Sequence, residues 1–298
     1  MRIGLAAVLA FGVAACGEDP NFRSPLSTTF DADVPPPSTS ADKLISLGDQ
    51  AAENGDIQGA IALYDRAAVA DRRSPIPLVR MAILLEQIGQ PGRALTAWRR
   101  ADDLTTQANA VSAQIAKGLG RTLLAQGQGD AAANAFREAL ATGGGDDPEA
   151  LNGLAASLDH RGRHGEAQDI YWMVLKGDED DAQALNNLGL SLALSGDLQK
   201  SIYVLERAAR GRDSSPAIRQ NLALAYGLAG LDQQAMAVSR EDLPERQVLQ
   251  NIAAYQSLRA MDPHSRAEAV LGATLAPRSL TSGSPLGGRA GQRVVPPQ

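Results

Sequence analysis

Residues 148–181 read PEALNGLAASLDHRGRHGEAQDIYWMVLKGDEDD, and residues 182–215 read AQALNNLGLSLALSGDLQKSIYVLERAARGRDSS. The two stretches superpose without a gap, placing Asn152 on Asn186, Leu154 on Leu188 and Gly162 on Gly196. Apolar residues on both sides of the glycine recur with helical spacing, so each stretch predicts two helices. The glycine falls where the first helix must end. A turn there needs positive φ, which only glycine adopts at little cost.

The same glycine recurs outward along the chain at Gly55, Gly89, Gly127, Gly162, Gly196 and Gly230, with separations of 34, 38, 35, 34 and 34. Seven residues before each lies a small residue: Gly48, Ala82, Gly120, Ala155, Gly189 and Ala223. A large apolar residue (Leu47, Met81, Leu119, Leu154, Leu188, Leu222) precedes each of these. Nine residues after the glycine comes a bulky residue, Tyr64, Trp98, Phe136, Tyr171 or Leu205, until Ser239 breaks the series. Small residues let two helices approach closely, and the bulky one fills the space beside the crossing.

A helix pair repeated every 34 residues resembles the tetratricopeptide repeat. The resemblance implies an all-α fold: a right-handed superhelix of about six helix-turn-helix repeats over 41–74, 75–112, 113–147, 148–181, 182–215 and 216–244, with capping helices over 245–275. Four extra residues between the second and third repeats fall within Asp102 to Ser112, which predicts lengthened helices there. Ser239 and Asp242 stand where bulky and small apolar residues belong, so the second helix of the sixth repeat is expected to pack weakly or to end the array. Val248, Ile252, Tyr255 and Leu258 form one apolar stripe, as a capping helix requires.

The 298-residue chain carries a formal charge of −6, is only 4% aromatic, and is rich in Ala and Leu. That composition suits closely packed helices. An acidic chain without a basic block is a poor nucleic-acid binder, so no nucleic-acid partner is expected.

The first sixteen residues, MRIGLAAVLAFGVAAC, have one charge at Arg2 and then an uncharged run too short to span a bilayer. Val13-Ala14-Ala15-Cys16 resembles a bacterial lipobox, and Cys16 is the only cysteine. The resemblance implies a signal peptide over 1–15 and lipid attachment at Cys16, hence a membrane partner through an N-terminal anchor. Gly17 in place of Asp favours the outer membrane of a Gram-negative cell. Residues 16–40, rich in Pro, Ser, Thr and Asp, read as a disordered tether with a span of about 25–30 Å. Residues 276–298, rich in Pro, Gly and Ser and without an acid, read as a disordered tail.

Catalytic constellations are missing from the sequence, so no enzyme activity, cofactor or small-molecule substrate is expected. Gly143-Gly144-Gly145 is not followed by the Lys and Ser or Thr of a phosphate loop. His160 and His164 are four apart, but Gly162 ends the helix between them and no third ligand is near, so no metal is expected. Asp178 to Asp181 lacks the alternation of a calcium loop.

Partners are expected to be proteins, on the concave side that first helices line. The fifth, ninth, twelfth and thirteenth places of each repeat face that groove. They carry Asn152, Asn186 and Gln220, whose amides suit an extended peptide backbone, and Leu190, Leu194, Leu224 and Leu228. Exposed leucines there call for a cover. Two occupants fit equally, a partner's apolar segment or the chain's own helix around Val248 to Leu258. Asp49, Glu53, Lys117 and Arg121 make the other end of the groove polar.

Asp242-Leu243, followed by Asn251-Ile252-Ala253-Ala254-Tyr255 and Leu258-Arg259, resembles the TadD lipoproteins of the tight-adherence (Tad/Flp) pilus system. That resemblance implies an outer-membrane scaffold that helps localise or assemble the pilus secretin, with no catalytic residue. Scaffolds for other envelope machines share the same outline: type IV pilus pilotin-like proteins, β-barrel assembly factors and cell-wall synthase regulators.

Overall fold

The computed structural model describes residues 40–105 and 109–275. Cys16, the signal segment, the tether up to residue 39 and the tail over 276–298 lie outside the described residues. The described residues form fourteen α-helices: α1 (Ser40–Glu53), α2 (Ile57–Ala70), α3 (Ile76–Gln87), α4 (Pro91–Asp102), α5 (Ala110–Ala125), α6 (Gly129–Gly143), α7 (Pro148–Asp159), α8 (His164–Gly177), α9 (Ala182–Ser195), α10 (Leu198–Arg210), α11 (Pro216–Leu228), α12 (Asp232–Ser239), α13 (Glu245–Arg259) and α14 (Pro263–Leu275).

Each of the six periodic glycines has positive φ, between 67° and 95°. The backbone N–H after each glycine reaches back to a carbonyl five residues earlier, as Arg163 N does to Leu158 O at 3.0 Å and Asp197 N to Leu192 O at 2.9 Å. This closes the first helix and turns the chain into the second. Helix starts are set by side chains that accept backbone N–H groups (Asp56, Asn109, Asp147, Asp181, Asp197, Ser215) and by Pro91, Pro148 and Pro216 in the first turn. Two acids of the Asp178 to Asp181 run are used this way: Asp178 accepts from Asp180 N, and Asp181 caps α9. Beside the insertion before the third repeat only α5 is longer, with 16 residues against 12 to 14 in α1, α3, α7 and α9, while α4 has 12.

The small and bulky positions meet as their spacing predicts. A Cβ added to Gly48 would lie 2.5 Å from the Tyr64 ring, one at Gly120 2.8 Å from Phe136, and one at Gly189 2.4 Å from Leu205. Phe136 also fills the space above Gly153 of the next pair, and Trp98 the space above Gly118. Phe136 therefore holds its own pair together and seats the following one, and such stacking joins residues from α2 to α11 in one large apolar cluster.

The sixth pair departs from this scheme. α12 is only eight residues long, and Ser239 is too small to fill its place. Tyr255 of α13 supplies the missing bulk, its ring lying within 2.3 Å of where a Gly227 Cβ would be. Arg219 fastens the end of the pair, donating to both oxygens of Asp242 at 2.8 and 2.5 Å. α13 thus stacks on α11 as the first helix of a seventh, incomplete pair.

First helices of successive pairs touch one another from α3 through α5, α7, α9 and α11 to α13, while second helices make no comparable contact. A stack that touches along one side must splay along the other. The first helices therefore line the concave side.

Candidate functional site

Asp159 and Glu86 stand three residues before their turn glycines, each at the junction of three helices. Asp159 is buried and accepts from Ser191 Oγ at 2.7 Å and Tyr171 OH at 3.1 Å, with His164 Nδ1 at 2.7 Å. Burial pushes the Asp159 carboxyl up, against the opposing pull of His164 and the two hydroxyls. Burial likewise raises Tyr171, and the Asp159 charge adds to the effect. Glu86 accepts from Trp98 Nε1 at 3.0 Å, Thr122 Oγ1 at 2.5 Å and Arg121 Nη2 at 3.2 Å. Neither carboxylate stands out in the sequence, because the repeat pattern is carried by apolar and small residues. Through these bonds Asp159 ties α7, α8 and α9 together.

The polar end of the groove is internally paired. Lys117 Nζ lies 2.8 Å from Asp147 Oδ2 and 2.7 Å from Glu149 Oε2, and Arg121 Nη1 lies 2.5 Å from Glu149 Oε1. Asp49 accepts from Tyr64 OH at 2.7 Å, and Glu53 is exposed. Burial raises the Glu149 carboxyl, but Arg121 and Lys117 outweigh it and hold the group below the ordinary carboxylate value. Asp147 is lowered in the same way, with the Lys117 hydrogen bond and backbone N–H groups outweighing its burial. A depressed carboxylate contributes stability that is complete above its unfolded pKa, about 4.3 for Glu, and is lost as the pH falls through the folded value. Melting temperature is therefore expected to fall on acidification from about pH 5 to about pH 3, and more shallowly in Glu149→Gln, as followed by thermal circular dichroism.

The amides expected to meet a peptide are all buried, and they are used differently. Asn186 Oδ1 accepts from Asn221 Nδ2 at 2.8 Å, and its Nδ2 donates to Asn187 Oδ1 at 3.3 Å, so this amide joins α9 to α11. Asn152 Oδ1 and both amide atoms of Gln220 have no protein hydrogen-bond partner. The four leucines are not exposed: Leu190, Leu194, Leu224 and Leu228 are 4%, 1%, 0% and 5% accessible. Burying a leucine contributes about 1.5–3 kcal/mol, so open water on these four would be costly.

Of the two occupants that fit the sequence equally, the helix around Val248 to Leu258 does border the row: Ile252, Tyr255 and Leu258 share one apolar cluster with the four leucines. The stripe around Val248 to Leu258 belongs to α13, which continues the stack. α14 turns back to touch α9 and adds Ala267, Val270 and Leu271 to the same cluster. Leu271 closes a small crevice with Leu190, Leu194, Asp159 and His160. The sequence places capping helices over 245–275, but nothing local to them says where the last one docks.

Large apolar side chains on the outer helices, Trp172 and Met173 on α8 and Tyr203 on α10, stay about half or more exposed. Among the described residues no group of three His, Cys, Asp or Glu side chains could hold a metal, and no helix is long and apolar enough to cross a membrane.

These stacked hairpins with a first-helix concave face are the fold of tetratricopeptide-repeat proteins, a type of protein-interaction scaffold. The family model for the tetratricopeptide repeat matches residues 117–171 and 174–216. Among solved structures, PilW, described as a widely conserved type IV pilus biogenesis factor, is similar with a TM-score of 0.63 and 17% identity, over 72% of this chain and 98% of that one. Pseudomonas aeruginosa PilF is similar with a TM-score of 0.56 and 14% identity, over 72% and 97%. A thermophilic tetratricopeptide protein of Thermus thermophilus gives 0.53 and 21%, over 62% and 100%. At these identities the likeness is one of fold. No curated protein sequence matches the chain.

Proposed function

We propose that this chain is a non-catalytic scaffold, anchored by lipid at Cys16 to the periplasmic face of the outer membrane, that docks components of a Tad/Flp pilus-assembly machine and aids localisation or assembly of its secretin. The observation that carries the docking part is the concave face of pairs four to six, which carries a leucine row, the unpaired Asn152 Oδ1 and the unpaired Gln220 amide. Such a surface takes a partner's apolar segment and offers that segment's polar groups a hydrogen bond. The lipobox sequence and the polar segment behind it support the anchoring part. The residues after the sixth repeat that resemble TadD support the Tad assignment. The fold shared with PilW, a type IV pilus biogenesis factor, favours a second reading, in which the same scaffold serves a type IV pilus as a pilotin-like protein.

Deleting the gene is expected to lower secretin multimers in the outer-membrane fraction and to reduce surface pili, as read by immunoblot and electron microscopy. A chain carrying Cys16→Ser is expected to leave the membrane fraction and to fail in complementation. Normal multimers and pili in the deletion strain would remove the pilus assignment, and palmitate labelling that persists in Cys16→Ser would remove the anchor.

A further inference from the structure

α14 does not extend the array. A second helix of the seventh pair would lie on α13 as α12 lies on α11, yet α14 makes only slight contact with α13 and folds back onto α9. Its buried face is a short stripe, Ala267, Val270 and Leu271, at i, i+3 and i+4. Its opposite face is solvated, with exposed His264 and Glu268 3.3 Å apart. The polar side chains at its start bond locally. Asp262 Oδ1 accepts from Ser265 N at 3.1 Å, and Arg266 donates to the carbonyls of Leu258 and Met261 at 3.1 and 3.0 Å. Three small or medium apolar side chains therefore fasten α14 to the groove floor.

We infer that α14 is an internal stand-in for the groove's true ligand, and that this ligand is an amphipathic helix of another protein. Its apolar stripe would copy Ala267, Val270 and Leu271. This deepens the docking function proposed above and rests on it. The occupant already seated in the groove is a helix, which argues for a helical ligand over an extended one. A tethered competitor of this kind lowers the apparent affinity by the fraction of molecules whose groove is open. It also keeps Leu190 and Leu194 covered until a better-matched helix arrives.

The test uses the full chain and a fluorescent synthetic peptide copying residues 261–276. In the variant Val270→Asp/Leu271→Asp, which undocks α14, the peptide is expected to bind at least about tenfold more tightly than in the wild-type chain. A peptide carrying the same two substitutions is expected not to bind. Hydrogen exchange on the wild-type chain gives a measurement independent of folding of the variant. Excess peptide is expected to speed exchange in the chain's own α14 while α9 and α11 stay protected. Equal affinity for both chains, or unchanged α14 exchange under saturating peptide, overturns the inference. The two proposals fail separately: normal pili in a deletion strain with tight peptide capture removes the pilus role alone, whereas lost secretin multimers with no peptide capture removes the stand-in alone.

Discussion

Asp159→Ala is expected to destabilise the array by about 3–5 kcal/mol, the cost of removing one member of a buried charged network. The substitution strips a shared acceptor from Ser191, Tyr171 and His164, leaving the first two buried without it. Those groups sit on α7, α8 and α9, so the loss weakens both the fourth pair and its seat on the fifth. Thermal circular dichroism is expected to show a melting temperature lower by on the order of 10 °C for a domain of this size. Because each repeat contacts only its neighbours, the transition is also expected to broaden as the array splits at the weakened joint. Asp159→Asn is expected to recover part of the loss. It keeps an acceptor oxygen, and burial already favours the uncharged form of this group. An Asp159→Ala melt coincident with wild type would show that the three donors find other partners and that the joint does not depend on this carboxylate.

Gly153→Ala is expected to cost about 2–4 kcal/mol, although alanine is the better helix former by about 1 kcal/mol. The added methyl carbon would lie 2.3 Å from two atoms of the Phe136 ring, and that ring is held from the other side at Gly120, where an added carbon would lie 2.8 Å away. Phe136 is fully buried and has nowhere to move, so α6 and α7 must separate. The contrast is Gly165→Ala in α8, where an added carbon meets nothing within 4 Å. That change is expected to be neutral or slightly stabilising. Urea denaturation of the two variants should shift the midpoint in opposite directions or leave Gly165→Ala unmoved. The pair Gly153→Ala/Phe136→Leu should recover stability relative to Gly153→Ala, since the smaller side chain vacates the collision. Equal midpoints for Gly153→Ala and Gly165→Ala would mean that the crossing is not limited by that ring.

The helical hairpins were legible because their determinants are local or strictly periodic. Gly162 and Gly196 mark chain reversals by a backbone requirement carried within each turn, and Gly120 with Phe136 or Gly189 with Leu205 mark crossings that recur at a fixed offset. The end of the regular array was legible too, as the loss of bulk at Ser239. The groove was legible only as a set of positions. Asn152, Asn186 and Gln220 occupy one register in the sequence. Whether each amide is spent on a neighbour, as Asn186 is on Asn221, depends on small differences in the spacing between helices.

By itself, then, the sequence determined the periodic hairpins, the all-helical stack, the curvature that sets first helices on one side, and the apolar row at Leu190, Leu194, Leu224 and Leu228. What covers that row was decided by tertiary structure alone. α13 carries the stronger apolar stripe and could be assigned to the groove as readily as to the stack. It joins the stack because Tyr255 fills the gap that Ser239 and Gly227 leave open. That placement frees α14 to turn back across the concave face. Burial against a curved surface is a sum over residues from α9, α11, α13 and α14, far apart in the chain, and no repeat of a local pattern records it.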